Sequence, residues 1–144
     1  MFTSTKLPGE MLSFARQYLF RPWKSKIMRK QAWAITKLAI QWRLLGFRIA
    51  LQAKRQPDAI GAASVDFLMF SGYAFMAYMW GMMTDAAEKK LALGEGDAVL
   101  CNEKLHTAEF FFERMLPQAQ FHAQAIKANL GSLMGMPNSY FESK

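Results

Sequence analysis

The segment Glu103–Met136, EKLHTAEFFFERMLPQAQFHAQAIKANLGSLMGM, decides the fold. Its apolar residues recur at helical spacing. Taken from Cys101, the seam runs through Leu105, Ala108, Phe112, Met115, Ala119, His122, Ile126, Leu130 and Leu133, in steps of three and four close to a heptad. A stripe of this kind must bury itself against other helices. Phe110, Phe111 and Phe112 form a dense aromatic cluster best explained by packing. Pro117 lies in the middle. It removes a backbone donor and its ring clashes with the carbonyl of Glu113, so a kink or break is expected near Arg114–Leu116. The helix is expected from about Ala98 to Asn129, with Gly131 and Gly135-Met136-Pro137 ending it.

Upstream, Gly94-Glu95-Gly96-Asp97 is a turn. Gly94 is placed to be a left-handed C-cap and Asp97 to N-cap the helix that follows. Before it, Asp58–Leu93 reads as a long helix, apolar nearly all round from Val65 to Met83. Such a helix is either central in a bundle or in lipid. Phe67–Thr84 carries no charge and meets the lower length limit for a membrane span. Ser71, Gly72, Ala74, Ala77 and Gly81 are small enough to let another helix approach closely. Gln56-Pro57-Asp58 separates this helix from Ile27–Arg55, whose Ile35, Leu38, Trp42, Leu45, Ile49 and Ala53 make an amphipathic stripe. Glu10–Phe20 is a shorter helix with Met11, Phe14, Tyr18 and Leu19 on one side, ended by Arg21-Pro22. Residues 1–10 read as a frayed lead-in broken at Pro8-Gly9. The expected fold is therefore all-α: an antiparallel bundle of three long helices plus a short N-terminal one. It divides into a lead-in and short helix over 1–26, a bundle over 27–136 and a tail over 137–144.

A chain of 144 residues forms one domain with a core of its own. The lone Cys101 has no partner for an internal disulfide, and no Cys/His set has zinc spacing. The amino terminus has no secretory h-region. Charge is uneven. Residues 1–64 hold 12 Lys/Arg and 2 Asp/Glu, net +10, and residues 65–144 hold 6 and 9, net −3. A basic half suits an anionic partner, an anionic membrane surface, or an acidic surface of the same fold. The basic–aromatic mix Arg21, Trp23, Lys24, Lys26, Arg29, Lys30 and Trp33 has no nucleic-acid motif beside it, so nucleic acid is not an expected partner.

Few residues are candidates for chemistry. His122 sits on the apolar seam and reads as a core histidine; His106 falls off the seam and should face solvent. Glu109 and Glu113 share a helix face, but paired carboxylates alone make neither an acid–base pair nor a di-iron site, and Glu113 is expected to ion-pair, with the neighbours of Arg114 or with the basic first long helix. Asp66 enters the apolar stretch and is expected to meet Arg43 or Arg48. There is no Walker loop, GxGxxG, GxSxG or HExxH. No residue receives a catalytic, cofactor-binding or metal-binding role.

The ordered run Gly94-Glu95-Gly96-Asp97, then Lys104–Pro117 with its FFFERMLP, then Ser132-Leu133-Met134, resembles the carboxy-terminal helical domain of bacterial acyl-CoA dehydrogenases. Gly61–Leu68 and Ser71-Gly72-Tyr73 fit the middle helix of the same domain, so the resemblance spans about Met28–Met136. It implies a lineage of flavoproteins that oxidise acyl-CoA thioesters, in fatty-acid β-oxidation for example, with a carboxylate taking the α-proton and FAD the β-hydride. In that family the flavin and thioester sites lie in larger upstream domains, absent from these 144 residues, as is the segment around the catalytic Glu. The expectation is a non-catalytic, cytoplasmic packing unit with no cofactor of its own. Its partners would be FAD-bearing domains or a second copy. The alternative is a membrane-associated protein, using the basic 21–55 segment against anionic lipid and the apolar 67–84 run.

Overall fold

The computed structural model describes residues 6–19, 25–128, 135 and 137–140. Five α-helices follow in order: α1 (Lys6–Leu19), α2 (Lys26–Arg55), α3 (Asp58–Leu93), α4 (Ala98–Phe110) and α5 (Gln118–Lys127). A π-helical turn, Phe111–Met115, joins α4 to α5, and a 3-10 turn covers Asn138–Tyr140. No strand occurs among the described residues, and the protein is an all-α bundle.

Cross-helix bonds give the directions. Lys30, Gln41 and Arg48 along α2 meet Glu113, Gln120 and the Lys127 carbonyl in the same order, so α2 and the α4–α5 arm run parallel. Tyr73 and Asp66 meet Gln118 and His122 in the opposite order, so α3 runs antiparallel to both. α1 folds back onto α2. Met11, Ala15 and Tyr18 of α1 join Ile35, Leu38 and Trp42 of α2, Phe70, Ala74 and Ala77 of α3, and Ala119, Ala123 and Ile126 of α5 in one core.

The turns are built as their residues require. Gly94 is left-handed (φ 67°), and Glu95 N–H donates to the Lys90 carbonyl while Gly94 N–H reaches Leu91, which closes α3 with a Schellman-type cap. Asp97 Oδ1 accepts from Val99 N–H at 2.9 Å and opens α4. Ser25 does the same for α2 through Ile27 N–H.

Three expectations change. α1 begins at Lys6, and Pro8 is buried inside its first turn instead of breaking the chain. A proline is tolerated there because its missing N–H would have been an orphan. The expected break near Arg114–Leu116 is a widening of the helix: Leu116 N–H donates to Phe111, five residues back, at 2.9 Å. A π-turn carries an extra residue past the ladder just where Pro117 disturbs it. This shifts the seam. Phe111 and Leu116 take the core positions, Phe112 is half-buried and Met115 is exposed. Finally, α3 packs against α2, α4 and α5 but is not buried all round. Only 28% of its most apolar window is buried. Arg21-Pro22, Leu130, Gly131, the Ser132-Leu133-Met134 run, Met136 and the last four residues lie outside the described residues.

Candidate functional site

The polar residues that share an inner face converge between α3 and α5. Asp66 and Tyr73 are seven apart on α3, hence on one face. Gln118 and His122 are four apart on α5, one above the other. His122 Nδ1 lies 2.8 Å from Asp66 Oδ1, and Tyr73 donates its hydroxyl to Gln118 Oε1 at 2.7 Å. The Tyr73 and His122 rings stack with centroids 6.0 Å apart, and the Phe121 ring meets His122 edge-on at 5.4 Å.

Asp66 therefore meets His122, not Arg43 or Arg48. The α3 face that carries Asp66 turns toward α5, while Arg43 is exposed and Arg48 donates to the Lys127 carbonyl at 3.2 Å. His122 is half-buried and bonded, as a satisfied core histidine should be.

A carboxylate holding Nδ1 is how a catalytic base is oriented. The other parts of such a site are not near it. The Ser64 and Ser71 hydroxyls donate to the Gly61 and Phe67 carbonyls of their own helix. Cys101 is buried on α4. No group of His, Cys, Asp and Glu that would hold a metal exists among the described residues. The Asp66–His122–Tyr73–Gln118 cluster is a latch between helices.

His106 and Glu109 are exposed. Glu113 pairs with Lys30 of α2 at 3.0 Å, the ion pair expected of it, and both ends lie in solvent. Such a pair sets register more than stability. The reciprocal amide pair of Gln41 and Gln120, at 3.1 and 2.9 Å, went unread in the sequence. So did Gln31, a buried residue whose Oε1 has no partner among the described residues. Its position one turn before Ile35 on the apolar stripe was the available signal.

Two grooves flank α2. One of about 220 Å³ lies against α4 and the π-turn, lined by Ile27, Lys30, Gln31, Ala34, Phe112 and Glu113 among others. One of about 370 Å³ lies against α5, lined by Leu44, Phe47, Arg48, Leu51, Ala123 and Lys127 among others. Both are open clefts.

Larger features are two uncovered apolar faces. On α2, Trp33, Ile40, Leu44, Phe47 and Leu51 recur at steps of seven, four, three and four and all are exposed. Arg29, Lys37, Arg43 and Lys54, also exposed, border that stripe. On α3, Val65, Leu68, Met69, Phe75, Met76 and Met79 are exposed along the middle of the helix. Apolar faces this long on a folded chain mark contact surfaces.

A family model described as acetyl-CoA dehydrogenase C-terminal like matches residues 9–137, which takes in most of α1 and all of α2 to α5. No curated protein matches the sequence.

Proposed function

The chain belongs to the acetyl-CoA dehydrogenase C-terminal-like family, and from that premise we propose that it is a non-catalytic packing unit of a flavin-dependent acyl-CoA dehydrogenase, working in the cytoplasm. The observation that carries this reading is the α2 face. Trp33, Ile40, Leu44, Phe47 and Leu51 stand in solvent inside a border of basic residues. An apolar stripe bordered by one sign of charge fits a partner surface that is apolar at its centre and acidic at its rim. The flavin-bearing domains of the enzyme are that partner.

Among the described residues, the glycine-bearing loop before α4 does not fit the pyrophosphate of FAD. A pyrophosphate asks for free backbone N–H groups at a Gly-rich helix start. The described loop with left-handed glycines, Gly94 and Gly96, carries Glu95 and Asp97, and Asp97 already accepts the Val99 N–H. Two carboxylates there repel a diphosphate. The half-buried His122 is committed to Asp66. On this reading proton abstraction and hydride transfer belong to the other domains.

The test is to mix the purified chain with FAD, an acyl-CoA and an electron acceptor. The expected result is no turnover and a colourless protein. Turnover, or a bound yellow flavin, overturns the reading.

A further inference from the structure

The uncovered face of α3 has a more regular order than exposure alone requires. Asp58, Ala62, Val65, Met69, Gly72, Met76, Met79, Met83, Ala86 and Lys90 follow one another in strictly alternating steps of four and three. That is a heptad seam over nearly the whole helix, and it points away from the core. Val65 is 68% exposed, Met69 44%, Met76 37% and Met79 37%.

The seam is also self-complementary. Laid antiparallel on a copy of itself, Asp58 falls opposite Lys90, Ala62 opposite Ala86, Val65 opposite Met83, Met69 opposite Met79 and Gly72 opposite Met76. Each charge meets its opposite, and the glycine faces a long flexible side chain. Asp58 and Lys90 are exposed and neither has an ion pair among the described residues. Laid parallel in register, the same seam would set Asp58 on Asp58 and Lys90 on Lys90, which is repulsive.

Gly72 adds an independent argument. A glycine inside a helix costs about 1 kcal/mol relative to alanine. Gly81 has a reason within the chain, since a Cβ there would lie 2.6 Å from Ile35 Cδ1. Gly72 has none: a Cβ would meet nothing within 4 Å. A second helix approaching from outside would use that open space.

We propose that α3 is a homodimerisation helix, pairing antiparallel with α3 of a second copy through the seam from Asp58 to Lys90. The interface is isologous, so one two-fold axis generates both halves and it closes on itself. This surface is distinct from the basic-bordered face of α2, and the inference does not depend on the packing role assigned to that face. Lipid is a poorer occupant. The seam is one helix wide, and its ends carry opposite charges where an anionic bilayer would favour basic residues at the contact.

The experiment is sedimentation velocity of the full chain across a concentration series, with variants and with added anionic vesicles. The wild type is expected at twice the 16.4 kDa chain mass once its concentration exceeds the dissociation constant. Met76→Glu places two unpaired carboxylates in the dimer and should raise that constant by at least about 100-fold, with the helical circular dichroism unchanged because Met76 is partly in solvent. Asp58→Lys or Lys90→Asp alone should weaken pairing by about 10-fold, and the two together should restore it to within about 3-fold. Rescue by charge exchange is a readout that a merely sticky surface would not give. A monomer at every concentration overturns the proposal. So does a dimer indifferent to Met76→Glu, a failed charge exchange, or vesicle binding that displaces the dimer.

Discussion

Adding one methyl group to Gly81 tests how α1, α2 and α3 meet. Gly81 is buried on α3. A Cβ there would stand 2.6 Å from Ile35 Cδ1 and 3.2 Å from Phe14 Cε1. Ile35 is completely enclosed, so its δ-methyl has no solvent to move into. Alanine gains about 1 kcal/mol over glycine from helix propensity. Overpacking a filled core costs about 1–3 kcal/mol. The sum is a loss of up to about 2 kcal/mol for Gly81→Ala, against a gain of about 1 kcal/mol at Gly72 in the monomer, where no neighbour within the chain opposes the propensity term.

The clash can be isolated further. Ile35→Val removes the δ-methyl that Cβ would strike and alone costs about 0.5–1.5 kcal/mol. In the Gly81→Ala background the new methyl occupies the vacated space. The double variant should be more stable than the sum of the single changes, with a coupling of about 1 kcal/mol or more. The assay is urea unfolding followed by circular dichroism, all variants at one protein concentration. With a slope of about 2 kcal/mol per molar, 1 kcal/mol moves the midpoint by about 0.5 M. If Gly81→Ala stabilises as much as Gly72→Ala, or if the cycle is additive, α3 does not approach α2 and α1 as described.

Asp66→Leu should cost about 1–2 kcal/mol, because His122 loses its partner in a half-buried site; a cycle with His122→Leu should show coupling of about 1 kcal/mol, and none if Asp66 faced α2. Gln31→Met should leave stability unchanged or raise it by about 1 kcal/mol, since it removes a buried oxygen with no partner; a loss above about 1 kcal/mol in the same unfolding assay would mean that the oxygen is satisfied. Asp97→Ala should cost about 1 kcal/mol by uncapping α4, a fall in melting temperature of about 2–4 °C for a chain of this size.

Much of the fold was legible in the sequence because its punctuation is chemical. The limits of α3 coincide with Pro57-Asp58 and Gly94, and Asp97 caps α4 as its side chain allows. The stripe from Ile35 to Leu45 marks the buried arc of α2. Glu113 found a cation on α2 because an exposed carboxylate beside a basic helix has few other partners. Less was legible where two solutions differ by a rotation. Proline disfavours the regular ladder at Pro117 but does not say whether the helix bends or widens, and the chosen π-turn moved the core positions from Phe112 and Met115 to Phe111 and Leu116. The partner of Asp66 was misread for a similar reason. Periodicity places Asp66 on a face, and α2 and α5 both border α3.

That ambiguity explains what the latch does. α3 is apolar on both sides, so hydrophobic burial alone does not choose which arc turns inward. The inner arc carries Ala63, Ala74, Ala77 and Gly81 beside Phe70, and Val65, Leu68, Met69, Met76 and Met79 lie on the outer one. Polarity fixes the choice. Asp66 and Tyr73 sit at the edge between the arcs, and each finds its partner on α5 only in the observed rotation. Turn α3 by one residue and a carboxylate and a phenol lose their bonds, a penalty of about 1–3 kcal/mol each if they stay buried. Exposure of the Val–Met seam is therefore held in place by the latch, not left over from incomplete packing. The interior of this chain specifies the surface that it presents to others.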